Sequence, residues 1–382
     1  MAQAAVPRYV TDASGSFSDC PPGHRFNLYF EIWEERWTLG KKADALRKTL
    51  SCNSVAGLLE GLRKRQQALA NALPENCLHV FDARATAPFA TGLGLEHPVE
   101  NGFAFLSPYG LPYLAGSGVK GVLRKAAEEL RDDGDTDISQ PVIDALFGKE
   151  DANSARRGAL SCWDVFPRPP KDEMSIEIMT PHLGHYYQGG SSPHEAGKPN
   201  PIPFLAVPAG SAFRFVVTCE PALLGDAVDL NVWKDLLDRI TRHAFDWLGF
   251  GAKTAVGYGA MEDDPRAREE RDRIQREAQE KLQREQKEQE RLRTLELMTP
   301  LERSIREFLD ARTDKNQPEV SALMQGLKTS RWSGDEKREV ARQVRAIMQA
   351  AKKWKEKSEK KNPDKDRDFQ DSLQVRRWID GN

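Results

Sequence analysis

Apolar and polar positions first alternate at Phe26-Asn27-Leu28-Tyr29-Phe30-Glu31-Ile32-Trp33, a period-two run that predicts a strand. The period then changes. Leu46, Leu50, Leu58, Leu62, Leu69 and Leu73 recur at helical spacing, so residues 41–73 are predicted helical up to Pro74, which ends the run. Strand patterns follow at 78–85, 159–166, 175–179, 211–219 and 255–261, and helical ones at 117–130, 141–147 and 231–248. Strands interleaved with single helices predict an α+β sheet covered by helices on one face. Residues 184–203 hold many Gly, Ser and Pro and few core apolar side chains. They read as a long loop, and long loops in compact domains are often functional.

The pattern breaks after Gly259, where Glu262-Asp263-Asp264-Pro265 stops the preceding strand. About 22% of residues 1–261 are charged against about 47% of 262–382, a shift that predicts a domain boundary. Residues 266–292 have few apolar positions (Ile274, Leu282, Leu292) and no heptad seam. Opposite charges recur there at i,i+4: Glu269/Arg273, Arg273/Glu277, Glu277/Lys281, Lys281/Glu285 and Arg284/Glu288. Such pairs stabilise a solvated helix by roughly 0.2–0.5 kcal/mol each, which predicts a stiff helical spacer, about 40 Å long at 1.5 Å per residue. Thr299-Pro300 reads as an N-cap followed by a first-turn proline. Amphipathic helices follow, carrying Ile305, Phe308 and Leu309, then Leu323, Met324 and Leu327, then Val340, Val344, Ile347 and Met348. Trp332, Trp354 and Trp378 would fill a small bundle core, and residues 352–365 form a locally basic tail. The expected layout is therefore 1–261 as one α+β domain, 262–298 as a charged helical spacer, and 299–382 as a small all-α domain.

Composition narrows the function classes. At 382 residues the chain has room for two or three domains. No window approaches the run of about 18 apolar residues a membrane span needs, so no membrane partner is expected. Residues 1–24 lack the basic start and apolar core of a secretory signal. Five cysteines, Cys20, Cys52, Cys77, Cys162 and Cys219, are scattered and never paired as C-x-x-C. This argues against a disulfide scaffold or a thiolate zinc site and predicts a reducing, cytoplasmic location. A net charge of −2 excludes a globally basic nucleic-acid binder and leaves room for a local basic surface.

Two Gly-rich segments carry the candidate chemistry. In Tyr109-Gly110-Leu111-Pro112-Tyr113-Leu114-Ala115-Gly116-Ser117-Gly118-Val119-Lys120-Gly121-Val122-Leu123-Arg124 a strand-like start ends in small residues and leads into a helix that Ser117 would cap. Amides exposed at such a helix start, approachable because glycine has no Cβ, make an anion site. A bound phosphate would also offset the penalty of placing Lys120 in the first turn, and Arg124 lies one turn on. A Gly-rich turn with solvated Lys120 and Arg124 accounts for the same residues. The second segment is Gly249-Phe250-Gly251-Ala252-Lys253-Thr254-Ala255-Val256-Gly257-Tyr258-Gly259. It fails the G-x-x-x-x-G-K-[ST] pattern, because Ala252 precedes Lys253 and Trp247 stands where the first glycine belongs. It also runs from helix to strand, the reverse of a P-loop. Nucleotide hydrolysis is not expected, but amides around Gly249, Gly251 and Gly257 with Lys253 and Thr254 can cradle a phosphodiester; a structural turn is the alternative.

His182 and His185 lie three apart, with His194 and Glu195 beyond them. An H-x-x-H on a Gly/Pro-rich loop falls short of the three or four ligands zinc takes, so no metal and no cofactor is expected. Tyr186, Tyr187 and the histidines suit either packing beneath the loop or stacking on unpaired bases. Asp132-Asp133, Asp135 and Asp137 fall in a polar turn and read as solvated. No G-x-S-x-G, H-E-x-x-H or cysteine-nucleophile motif is present, and no catalytic constellation emerges.

The two phosphate-cradle segments together resemble the RAMP superfamily of CRISPR proteins. The resemblance tightens over Gly92-Leu93-Gly94-Leu95-Glu96, Glu100-Asn101-Gly102, and Gly116-Ser117-x-x-Lys120-Gly121-x-x-Arg124. Thr180-Pro181-His182 with Tyr186-Tyr187, Pro201-Ile202-Pro203-Phe204-Leu205-x-Val207 and Gly210-x-x-Phe213-x-Phe215 look like the sixth Cmr-type subunit family of type III-B effector complexes. The likeness covers about residues 77–261. It implies a ferredoxin-like (RRM-like) fold and a non-catalytic subunit at the end of the Cmr filament. That subunit would hold guide RNA toward its 3′ part, engage target RNA in the effector, and contact neighbouring RAMP subunits. Gly116, Ser117, Lys120, Arg124, His182 and the loop of Gly249, Gly251, Lys253, Thr254 and Gly257 match positions the family uses on RNA. Cations and amides read phosphate rather than sequence, which agrees with backbone contact. The aromatic signature of base-stacking RRMs is absent, which argues against recognition on an open sheet face. Ala115 replaces the proline expected in the family's P-G-S motif. Residues 1–73 lie outside the match, and 262–382 is additional to it.

Three readings compete. The first is the RNA-holding subunit. The second is a RAMP-type endoribonuclease that processes guide precursors with a histidine as general acid or base. The third makes the charged helix and terminal bundle a scaffold, with the first domain as its docking module.

Overall fold

The computed structural model describes residues 2–14, 16–149, 151, 154–181, 186, 189, 200–312, 314, 317–358 and 362–381, and of 294–297 it describes the backbone alone. The chain folds as two compact units, Met1–Arg273 and Ile274–Asn382.

The first unit mixes helix and sheet. Its main sheet comprises β1 (Leu78–Ala85), β2 (Leu160–Cys162), β3 (Ala212–Cys219) and β4 (Met261–Asp263). Four helices matter for the site: α1 (Ala56–Asn71), α2 (Gly116–Asp132), α3 (Trp233–His243) and α4 (Pro265–Leu297). The sheet order is β4-β1-β3-β2, with every neighbouring pair antiparallel. Helix α2 lies in the crossover from β1 to β2 and α3 in that from β3 to β4, a β-α-β-β-α-β sequence.

Alternation along β1 and β3 sorts their side chains. Phe81, Ala83 and Ala85 are buried with Phe213, Phe215 and Val217, and Phe81 lies opposite Phe215. Helix α3 closes this face with Trp233, Leu236, Leu237 and Ile240, one stripe at helical spacing. Trp233 donates its indole N–H to the Asn76 carbonyl at 2.9 Å. Helix α2 contributes Val119, Leu123, Ala126 and Ala127.

Several expectations need correction. Residues 26–33 are not a strand: Pro22 opens the helix Pro22–Asn27, and the irregular chain beyond it makes isolated bridges from Trp33 to Gln3 and Leu39. Phe26 and Phe30 stand four apart, a helical spacing hidden inside the alternating run, and both rings pack on His97. The helix over 41–73 is two helices, Lys42–Arg47 and α1. Between them the Cys52 N–H is drawn to the Asp172 carbonyl at 2.7 Å, so tertiary bonding interrupts the helical run. Residues 255–261 become a strand only from Met261, because Gly257 and Gly259 take φ of 91° and 71° and turn the chain first. Helices do not cover one face alone: Arg63, Gln66, Gln67 and Ala70 of α1 line a small cavity with Val80, Arg214 and Val216 on the other face. The long loop over 184–203 lies largely outside the described residues, and its end joins the strand Ile202–Ala206, which pairs with Ser175–Met179.

Helix α4 spans the charged segment with almost every described side chain exposed. Lys281 reaches Glu285 at 3.9 Å as the spacing predicts, while Arg273 reaches Glu270 and Arg284 reaches Glu280. On a solvated helix, acids on either side of a base compete within one turn. In the second unit, Thr299 and Glu302 form a reciprocal capping box at the head of the helix Pro300–Asp310. The helices Glu319–Lys328, Gly334–Ala350 and Arg367–Asp380 follow. Trp332 and Trp378 are buried in their core with Leu323, Leu327, Val340, Val344 and Val375. Trp354 sits at its margin, its ring 5.1 Å from the Arg345 guanidinium and 5.3 Å from that of Arg376.

Candidate nucleic-acid interface

The first Gly-rich segment enters α2 through Leu114, which bridges to Val165. Helix and strand meet closely here. A Cβ on Gly116 would lie 2.1 Å from the Cys162 carbonyl oxygen, so only glycine lets α2 start against β2. Ser117 does not cap the helix. Ala115 is the N-cap residue, and the Gly116 N–H donates to the Asp164 carboxylate at 2.8 Å. A negative charge of the protein's own therefore occupies the amide and complements the dipole that a phosphate was expected to meet. The chain between β2 and Val165 delivers that carboxylate from 48 residues away, which local pattern does not reveal.

Lys120 and Arg124 do lie one turn apart, and both are half-buried. Lys120 donates to the Leu160 carbonyl at 2.8 Å, and Arg124 pairs with Glu128 at 3.2 Å. Burial pulls the Lys120 pKa down, and the nearby charges of Arg157 and Arg124 add to this. Burial likewise pushes the neighbouring Cys162 thiol up to about 12, so it is inert. What α2 presents outward at this end is Ser117, Gly118 and Gly121, and a Cβ on Gly121 would meet nothing within 4 Å.

The second segment is built differently. Helix α3 runs into a π-helical turn, Ala244–Leu248, whose Phe245 is buried while Trp247 is 78% exposed. Phe250 then anchors the loop, packing on Phe215 and Phe245. The loop folds back on its own start: Phe250 donates to the Gly259 carbonyl at 2.9 Å and Gly259 to that of Pro88 at 2.8 Å. A Cβ on Gly259 would lie 1.8 Å from the Phe250 oxygen. The amides of Gly249, Phe250, Ala252, Val256, Gly257, Tyr258 and Gly259 all donate to backbone carbonyls. Most of the amides that the sequence offers to a phosphate are thus spent on shaping the turn. Lys253 remains, left-handed at φ 61° and half-buried, with no ion pair among the described residues. Thr254 opens the short turn Thr254–Val256 beside it.

His182, His185, His194 and Tyr187 lie outside the described residues; Tyr186 is exposed. The described histidines all have hydrogen-bond partners. His24 bonds the Pro108 carbonyl, His79 bonds Asp238, and His243 bonds Glu129. His97 stacks on Phe26 and bonds its carbonyl at 2.9 Å, with burial lowering its pKa. Asp135 is not simply solvated: hydrogen bonding from Arg239, which also grips Asp137, holds its carboxyl below the usual range. Among the described residues no group of three His, Cys, Asp or Glu is arranged to hold a metal ion.

Sequence reasoning missed Asp164 and Trp247. Nothing local marks Asp164, whereas a tryptophan just before a Gly-rich turn was legible as a surface aromatic.

Residues 82–262 match the RAMP superfamily family model. The chain is 25% identical over 242 residues to the CRISPR system Cmr subunit Cmr6 of Pyrococcus furiosus, covering 49% of this chain and 68% of the relative. It is 25% identical over 184 residues to the Cmr6 subunit of Saccharolobus solfataricus, covering 47% of this chain and 54% of that one. Among solved structures, a chain of the type III-B Cmr-beta complex bound to cognate target RNA is similar at 19% identity and a TM-score of 0.40, over 58% of this chain and 69% of its own.

Proposed function

The chain carries a RAMP superfamily domain homologous to Cmr6 subunits of type III-B CRISPR Cmr complexes, and from that premise we propose that it is a non-catalytic RNA-binding subunit of such an effector. In this reading it acts in the cytoplasm, holds the guide-RNA backbone toward its 3′ part, lies beside target RNA and contacts neighbouring RAMP subunits. The β-α-β-β-α-β order, with strands arranged β4-β1-β3-β2, supports a ferredoxin-like domain, which β4 carries past the expected end at 261 to Asp263. The charged helix beyond it, up to 298, acts as a spacer and 299–382 as a helical module.

The observation that carries the reading is Lys253. It sits within the matched residues on a rigid, self-bonded loop, half-exposed and without an ion pair among the described residues. A fixed cation of this kind positions a phosphate without reading sequence. Gly249, Gly251, Thr254 and Gly257 shape its loop. Ser117, Lys120 and Arg124 make a second contact zone, in which Gly116 shapes the helix start and Arg124 would exchange Glu128 for phosphate, and His182 belongs to the same reading.

The test is to co-express the tagged chain with the products of its neighbouring genes, purify it, and sequence the retained RNA. A multi-subunit particle carrying repeat-derived guides is the expected outcome. A free monomer without RNA would overturn the reading and turn attention to residues 262–382. Metal-independent RNA cleavage lost on His182→Ala or His185→Ala would instead establish the endoribonuclease.

A further inference from the structure

The sheet face opposite α2 and α3 carries charge that the domain does not balance. Alternation places Val80 and Asp82 of β1 and Arg214 and Val216 of β3 on this face. Helix α1 lies along it, and its Arg63, Gln66 and Gln67 line a small cavity together with Phe166 and Arg214. Asp82, only 3% exposed, accepts from Arg214 at 2.7 Å and from Arg271 at 2.6 Å, so both carboxylate oxygens are engaged. Arg63 spends one Nη2 donor on the Phe166 carbonyl at 2.9 Å and has no carboxylate within ion-pair distance among the described residues. Arg168, two residues beyond Phe166, is exposed and likewise unpaired among the described residues.

Arg214 and Arg271 thus take up the two oxygens of Asp82, and Arg271 also pairs with Asp272. Arg63 and Arg168, the latter bridged to Ala212 two residues before Arg214, form no ion pair among the described residues. The imbalance is felt at Arg63: burial, then the charges of Arg214 and Arg168, bring its pKa down to about 10, with Glu60 and Asp82 offsetting them only in part. It stays charged at neutral pH. A half-buried guanidinium with spare donors facing like charges is costly unless an anion completes the group. The planar forks of arginine match phosphate oxygens.

The cavity itself, about 20 Å³, holds no more than a water. We propose that Arg63, Arg168 and Arg214 form a phosphate-binding site at the cavity's solvent-facing rim, beside α1 on the outer sheet face, taking a phosphodiester of a nucleic-acid strand. The choice of strand rests on the RNA-binding reading above, and the phosphate chemistry stands without it. Phe166, the aromatic that lines the cavity, is buried and offers no ring to an unpaired base, so the contact is to backbone and tolerant of sequence.

Full-length protein carrying Arg168→Gln or Arg214→Gln is compared with the parent in two measurements. Arg168 is exposed and forms no ion pair among the described residues, so its variant isolates the site from folding. Thermal unfolding is followed with inorganic phosphate against sodium chloride at equal ionic strength. RNA affinity is followed with a labelled single-stranded 20-mer across a salt series. The site predicts a phosphate-specific rise in Tm that both variants abolish. It also predicts a severalfold weaker RNA affinity, with the log–log salt slope reduced by about 0.7 per lost contact. A phosphate-specific Tm rise lost in the variants with RNA binding unchanged would keep the phosphate site and overturn the strand as its source. No phosphate-specific rise and an unchanged salt slope would overturn the site itself. Lys253→Glu separates the two proposals. If it weakens RNA binding while Arg168→Gln does not, the outer-face contact fails alone. If the parent binds no RNA yet shows the arginine-dependent Tm rise, the RNA-binding reading fails alone.

Discussion

Asp82 and Arg214, 132 residues apart in sequence, stand directly opposite each other across β1 and β3, with the guanidinium Nε 2.7 Å from the carboxylate. The second oxygen of Asp82 holds Arg271 at the head of α4, so one buried acid ties together a central strand pair and the helix that follows the sheet.

Removing that acid leaves Arg214 without its counter-ion and the largely buried Arg271 with Asp272 in place of two acids. Asp82→Ala is expected to lower stability by about 2–3 kcal/mol, read by urea unfolding. A loss within 0.5 kcal/mol, the usual range for surface changes, would show that solvent already compensates both arginines.

Two glycines should respond in opposite directions. Gly259→Ala places a methyl 1.8 Å from the Phe250 oxygen at a φ of 71°, and is expected to cost roughly 2 kcal/mol or more. Gly121→Ala adds a methyl on the exposed side of α2 with nothing within 4 Å, and is expected to gain up to about 1 kcal/mol. Thermal unfolding of the two variants checks the contrast, and a destabilised Gly121→Ala would break it.

Lys253→Glu and Lys120→Glu should both weaken RNA retention, uniformly across guide sequences and with a smaller salt slope. They differ in stability. Lys120 is bonded to the Leu160 carbonyl, so its replacement also unsettles the join of α2 with β2, whereas Lys253 makes no ion pair among the described residues. Salt-series binding together with Tm for both variants tests this. A sequence-dependent loss would contradict contact through the backbone.

His97 links stability to mild acid. Burial against Phe26 lowers its pKa below the ordinary 6.5, so the unfolded chain takes up the proton first as pH falls. Stability contributed by neutral His97 is thus complete above about 6.5 and declines below it, down to the depressed folded value. His97→Gln should flatten the dependence of Tm on pH between 7 and 5. An unchanged slope would mean that other groups set it.

Much of the scaffold was legible along the chain. Residues 78–85 form β1 with the predicted bounds, the helical pattern at 117–130 lies within α2, and the charged run after Gly259 is a solvated helix. These elements depend on periodicity and charge spacing, which neighbours in sequence decide. The Gly-rich segments were equally visible as turns, because only glycine tolerates the approach found at Gly116 and Gly259.

Which donors those turns leave for a ligand was not legible. Gly116 is met by Asp164, Lys120 by the Leu160 carbonyl and Arg124 by Glu128, while Lys253 keeps its charge unpaired among the described residues. The order of the strands, the clustering of Arg63, Arg168 and Arg214 about Asp82, and the helical turn at Phe26 share the same origin. Local pattern specifies which elements form and which way each side chain points within them. Only the packing of distant segments decides which polar groups find partners inside the protein, since a buried donor is satisfied by whatever the fold brings within about 3 Å.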